Sequence, residues 1–180
     1  TPTHIEAIAA FVFLEMQEAG YASVGEFHYL HHQPDGTPYD DLGELSARIA
    51  AAAAQTGIGL THLPVLYTYG GAGQVPLQPG QARFGNGVDR FNALVERAQH
   101  AVGNLPNDCR VGIAPHSLRA TAPAELADVV QAHPDVPTHI HIAEQPKEVA
   151  DVSDWLGARP VDWLLANAEV NESWCLIHAT

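Results

Sequence analysis

The sequence predicts an α/β fold, a partial (β/α)8 barrel of the TIM type with about five of its eight βα units present. Three observations carry that expectation. Short apolar or β-branched runs alternate with stretches of helical periodicity. No hairpin signal joins one run to the next, so the strands should lie parallel. Nearly every run ends at its carboxyl side in a reactive residue: His28, Tyr67, His116, Glu144, His178. An open doubly wound sheet binds mainly at its switch point, whereas a barrel mouth collects all the strand ends in one place. The pattern favours the barrel.

Behind a Thr-Pro-Thr start, Ile5, Ile8, Ala9, Val12 and Met16 recur at three- and four-residue steps, which predicts a helix ended by Gly20. The first strand is expected over 21–29, with Val24, Phe27 and Tyr29, finishing in His28, His31 and His32 before the Pro34-Asp35-Gly36 turn. Residues 40–56 carry Leu42, Leu45, Ile49 and a run of alanines with high helix propensity, closed by Gly57. The second strand spans 58–67. Segment 68–87 then breaks the rhythm with six glycines and two prolines. At twenty residues it far exceeds the usual connection of about 4–6, and loops of that length tend to be functional. Val88, Phe91, Leu94, Val95 and Ala98 define the next helix, and 109–115 the third strand, ending in His116-Ser117-Leu118-Arg119. Thr121 is expected to cap a helix through His133, with Pro123 in its first turn and Glu125 nearby. The fourth strand covers 136–143. Val149, Val152, Trp155 and Leu156 form a helix face stopped by Gly157, a short helix follows over 160–167, and 174–179 is the fifth strand.

Composition narrows the function classes. With 46% hydrophobic and 16% charged residues, the chain has the make-up of an ordinary globular domain able to bury a core. Twenty-one acidic against eight basic residues give a net charge of −13, which repels phosphate backbones and anionic lipid surfaces. Neither nucleic acid nor a membrane is expected as a partner. No apolar run reaches membrane length and no signal-peptide pattern is visible, so the expected location is cytoplasmic. Cys109 and Cys175 lack C-x-x-C spacing and lie in apolar strands, which reads as two buried free thiols. Thr1 at the start, Met16 as the sole methionine and a strand-like end at Thr180 suggest that 1–180 is the central part of one barrel domain, truncated at both ends.

The chemistry concentrates at the later strand ends. His141 and Glu144 lie three positions apart, so the histidine can turn inward to a metal while the glutamate sits on the following loop. A carboxylate beside a metal-bound water can take its proton and pass it to a leaving group. His178, one strand on, could ligate the same metal or hydrogen-bond the hydroxide. Taken singly, each histidine is more often a hydrogen-bonded core residue; His141, Glu144 and His178 together on adjacent strand ends favour a site. His139 faces the same way as His141 by period-two alternation; an H-x-H can chelate a metal, but here one of the pair is expected to pack deeper in the barrel, with a ligand role for His139 the lesser alternative. His31 and His32 are expected to be solvated in a turn. Arg119 is one of only eight basic residues, suited to a bidentate bond with a substrate carboxylate, or more plainly to a surface salt bridge. Tyr29 either bonds a ligand or fills the mouth.

Five stretches carry a family resemblance: Glu26-Phe27-His28-Tyr29-Leu30-His31-His32, Leu63-Pro64-Val65-Leu66-Tyr67, Ala114-Pro115-His116-Ser117-Leu118-Arg119, His139-Ile140-His141-Ile142-Ala143-Glu144-Gln145, and Trp174-Cys175-Leu176-Ile177-His178-Ala179-Thr180. They resemble the formimidoylglutamate deiminases of the amidohydrolase superfamily, and the resemblance runs the length of the chain. It implies a zinc-dependent barrel that hydrolyses N-formimino-L-glutamate, a small dicarboxylate, to N-formyl-L-glutamate and ammonia in histidine degradation, as a homodimer when complete. It further implies that His141 is a zinc ligand, Glu144 the proton shuttle and His178 the residue orienting the water. Tyr29, His116 and Arg119 match positions that recognise the glutamate moiety.

One departure is large. The first-strand H-x-H metal pair and the last-strand Asp ligand of the family are absent, leaving His141 alone of four expected ligands. A lone imidazole does not hold catalytic zinc tightly, so the chain by itself is expected to be inactive. Two other readings are kept: an aminohydrolase of a cyclic amidine such as a pyrimidine or pterin, and a non-catalytic half-barrel module.

Overall fold

A computed structural model describes residues 1–106 and 108–180. The order is α1 (Pro2–Glu18), β1 (Ser23–His28), α2 (Glu44–Thr56), β2 (Gly59–Leu66), α3 (Val88–Val102), β3 (Arg110–Val111), β4 (Ala114–Pro115), α4 (Pro123–Ala132), β5 (Thr138–His141), α5 (Pro146–Leu156), α6 (Pro160–Asn167) and β6 (Trp174–Ile177). A 3₁₀ turn, Pro79–Phe84, lies inside the long segment 68–87.

Every strand pairing is parallel: β1 with β2, β2 with β3 and β4, β5 with β6. Between β4 and β5 the seam is closed by parallel bridges Ile113↔Thr138 and Ser117↔His141. His139 N donates to Ile113 O at 2.9 Å and His141 N to His116 O at 3.0 Å. Space order therefore follows chain order with no reversal, and helices intervene between strands as parallel crossovers require. The parallel α/β expectation holds. Among the described residues β1 and β6 do not pair with each other, so the strands form an open series with two free edges.

The expected third strand is split. Both pieces pair with β2, and between them Gly112 N donates to His62 O and Ile113 N to Pro137 O, both at 2.8 Å, so the segment bonds its two neighbours in turn. Only glycine fits at the break between them, because a Cβ on Gly112 would collide with Pro137 O and stand 2.8 Å from Leu63 Cδ2.

Side chains alternate across β2. Leu60 and Leu66 face the helices, joining Phe13, Ile49, Phe91 and Val95, while Leu63 and Val65 face the opposite side with Ala114 and Ala120. A further cluster of Leu126, Ile140, Ile142, Val152 and Leu164 packs α4, α5 and α6 on β5. Helix ends follow the sequence signals: Thr1 caps α1 through His4 N, and Gly57 and Gly157 end α2 and α5 at φ 77°.

Several expectations are corrected. The buried stripe of α1 is Ile5, Ala9, Phe13 and Met16; Ile8 and Val12 are exposed, because this helix is apolar on more than one face. Thr121 does not cap α4: its hydroxyl donates to Leu66 O, and Glu125 instead accepts from Ala122 N at 3.0 Å. His31 and His32 are buried, since the long segment folds over their turn: His31 Nε2 meets Val65 O, and His32 Nε2 meets Gly85 O and Asn86 Oδ1. Both cysteines are free, but Cys109 is half-buried and Cys175 exposed, the latter paired in register with His139 on the edge strand β6. No helix among the described residues is long and apolar enough to cross a membrane.

Candidate active site

The carboxyl ends of β1, β4 and β5 open into one cavity of about 360 Å³ lined by Phe27, Tyr29, His116, Arg119, His141, Glu144 and Glu148. Five of the six residues singled out from the sequence converge there. The sixth, His178, follows β6 with its ring centroid 5.4 Å from that of His141 and its backbone at φ 69°, a conformation that a side chain with a Cβ rarely adopts. His28 does not reach the cavity. Alternation along β1 turns it to the helix side, where it meets His31 and His62, and its neighbour Phe27 enters the site instead.

Hydrogen bonding along the β4–β5 seam sets the two central imidazoles side by side. His116 O accepts from His141 N, and the rings stack at 5.3 Å with 22° between planes. His116 Nδ1 also lies 2.9 Å from Ser117 Oγ. Burial, then the Arg119 charge and then His141, push the His116 imidazole down to about 3, so it is neutral at physiological pH. His141 is also held below its usual value, first by burial and next by His178, with Glu144 and Glu148 pulling the other way. Phe27 stands edge-on to His141 at 4.4 Å, and Tyr29 to Phe84 of the 3₁₀ turn at 4.8 Å.

Arg119 is anchored rather than free on the surface. Its Nη1 donates to Tyr67 Oη at 3.0 Å, and its Nε is 3.8 Å from Glu148 Oε1. Glu148, in the first turn of α5, is 8% exposed and accepts from Glu144 N at 3.2 Å through Oε2. That contact fixes the backbone of the exposed Glu144 carboxylate, whose side chain lines the cavity. Sequence reasoning passed over Glu148 and Phe27. Glu148 left one trace, its place a helical turn after Glu144, while Phe27 has the residue type and strand setting of a core position.

One observation bears on a metal. His141 Nδ1 is buried with no hydrogen-bond partner, which leaves it free to coordinate, although His28, His31, His32 and His62 also have unpartnered ring nitrogens. Yet no group of three or more His, Cys, Asp or Glu side chains among the described residues could hold an ion. The chain thus fits as the supplier of one imidazole ligand, not as a complete donor set.

Solved amidohydrolases share this α/β fold over the length of the chain. A solved amidohydrolase from Brucella melitensis superposes with a TM-score of 0.97 at 51% identity, over 100% of this chain and 40% of that one. A distant likeness, 19% identical, is the zinc complex of atrazine chlorohydrolase from Arthrobacter aurescens, with a TM-score of 0.73 over 99% of this chain and 38% of that one. More particularly, the chain is 48% identical over 181 aligned residues to formimidoylglutamate deiminase from Pseudomonas aeruginosa. The alignment takes in all of this chain and spans 40% of that relative's length. The resemblance read from the sequence motifs is therefore shown across the whole chain. No family model matches it.

Proposed function

We propose that this chain carries the substrate-anchoring and proton-transfer residues of a metal-dependent deiminase that converts N-formimino-L-glutamate and water into N-formyl-L-glutamate and ammonia, within histidine degradation in the cytoplasm. The observation that carries the reading is the single cavity in which Arg119, His116 and Tyr29 share a wall with His141 and Glu144. A dicarboxylate needs a cationic anchor at one end and a proton relay at the other, and that cavity supplies both. His141 would hold the zinc, which when bound polarises the amidine and lowers the pKa of the attacking water. Glu144 would take one proton from the attacking water and pass it to the amidine nitrogen as the carbon–oxygen bond forms; it would then relay the remaining hydroxyl proton of the tetrahedral adduct to the same nitrogen, so that ammonia leaves as the carbonyl forms. His178, beside His141, orients the water. His116, neutral, donates one hydrogen bond to the substrate without competing for charge with Arg119.

A cyclic amidine carrying no carboxylate would leave the cavity face of Arg119 with no ligand anion to meet, so the ring-deaminase reading is the weaker one. The test uses the full-length reading frame that contains this chain: ammonia release from N-formimino-L-glutamate, with Glu144→Gln as the control. The expected result is turnover that drops at least about a hundredfold in the variant, the usual scale of general acid–base catalysis. Turnover of pyrimidines or pterins with none of N-formimino-L-glutamate would discard the assignment.

A further inference from the structure

We infer that Tyr67, locked by Gln81 of the long segment, is the positioning residue that presents Arg119 to the substrate carboxylate; this rests on the deiminase reading above. Arg119 follows β4 on a long side chain, and such side chains lose about 2 kcal/mol of rotamer freedom when fixed. An anchor that is already fixed before substrate arrives avoids meeting that cost in the binding step. Two contacts do the fixing. Nη1 donates to Tyr67 Oη at 3.0 Å, and Nε lies 3.8 Å from Glu148, too far for a hydrogen bond but close enough for charge attraction. No protein hydrogen bond from Arg119 Nη2 is found among the described residues, which leaves that nitrogen for a ligand in the cavity that Arg119 lines.

Tyr67 does not stand by itself. It is 4% exposed, and Gln81 Nε2 donates to the same phenolic oxygen at 2.9 Å. The orientation of that amide is settled by its other end, because Gln81 Oε1 accepts from Gln78 N at 2.8 Å and so the NH2 must face Tyr67. With donors arriving from Gln81 and Arg119, both acceptor positions of the Tyr67 oxygen are in use. The 3₁₀ turn Pro79–Phe84 holds Gln81 in place. It gives segment 68–87 a function: through Gln81 and Tyr67 it sets the direction of the substrate-binding guanidinium without touching the reacting atoms.

The experiment takes the full-length protein with Tyr67→Phe, an isosteric change that removes only the shared oxygen, and Gln81→Ala as a second variant on the loop. Three compounds are compared: N-formimino-L-glutamate and its two analogues lacking either the α- or the γ-carboxylate. In Tyr67→Phe the KM for the dicarboxylate should rise about tenfold with kcat within about twofold, the scale of one charge-assisted hydrogen bond. The KM of the analogue that lacks the Arg119-bound carboxylate should stay unchanged, and Gln81→Ala should follow in the same direction. A proportionate rise for all three compounds, or a fall in kcat alone, would mean that Tyr67 only supports the fold and would overturn the inference. Calorimetry with N-formyl-L-glutamate separates the two claims. A wild type that binds it but shows no turnover discards the deiminase reading while a tenfold weaker Kd in Tyr67→Phe upholds the positioning role; an equal Kd, or no binding by the wild type, rejects it.

Discussion

At the scale of single residues, the least expected group is His62. Alternation along β2 places it on the helix side, 0% exposed, with neither ring nitrogen hydrogen-bonded. Its ring centroid is 5.1 Å from that of His28, which in turn lies 5.5 Å from His31. Burial chiefly, and His31 next, depress the His62 imidazole to about 3, and His28 and His31 are likewise held well below 6.5 by burial. The unfolded chain takes up these protons near pH 6.5 and the native state refuses them. Stability is thus complete above pH 6.5 and is lost as the pH falls from there towards the depressed values. Glu26, opposite His62 in the β1–β2 register, acts in the other sense, since burial raises its carboxyl. Urea unfolding at stepped pH should show stability declining from pH 6.5 to 4.5. His62→Leu should remove about 1.4 kcal/mol per pH unit of that slope, the equivalent of one proton, while costing little at pH 7 because no hydrogen bond is lost. A slope identical in the variant would locate the acid sensitivity elsewhere.

At the scale of elements, the most exacting position is Gly112, where the chain runs between β2 on one side and the β5 segment on the other. Gly112→Ala must displace the half-buried Pro137 carbonyl or the buried Leu63 side chain. Denaturation should find it destabilised by about 2–4 kcal/mol, the range for overpacking together with a broken ladder; a loss below about 0.5 kcal/mol would show that the seam yields easily. What the sequence made legible at this scale was local. Gly57 and Gly157 announced helix ends because a positive φ favours a residue without a Cβ, and the β2 and β5 runs announced strands because one register suits both faces. What stayed hidden was tertiary. Ile8 and Val12 fit the helical period as well as Phe13 does, so the face of α1 that turned inward depended on what packed against it. Thr121 had a cap to make but found the Leu66 carbonyl first. The same division holds at the site. Tyr29, His116, Arg119, His141 and Glu144 could be picked out as reactive types at strand ends, whereas the bonds that hold them, from Tyr67, Gln81 and Glu148, join residues distant in the chain or ordinary in type.

At the scale of the whole molecule, the strands form a parallel series in chain order whose outer members, β1 and β6, each keep an unpaired edge among the described residues. In such a series the cavity wall is shared among successive strand ends, so a binding site is completed only as far as the series extends. The proposed ligand at β5 illustrates this in chemical terms. His141 offers one buried, unpartnered nitrogen, His178 stands beside it, and no group of three donors is gathered among the described residues. Tetrahedral zinc sites with catalytic activity use three protein ligands, and each missing ligand forfeits both bond energy and the preorganisation that makes the next bond favourable. Zinc titration in competition with a chelator, on the 180-residue chain and on the full-length reading frame, should therefore give affinities that differ by at least about a thousandfold, the shorter chain losing zinc to the chelator first. His141→Ala should abolish the weak binding of the short chain and sharply reduce that of the long one. Equal, tight binding by both would mean that these residues gather a complete donor set by rearranging, and that the ligands of this site are not the ones its strand ends present.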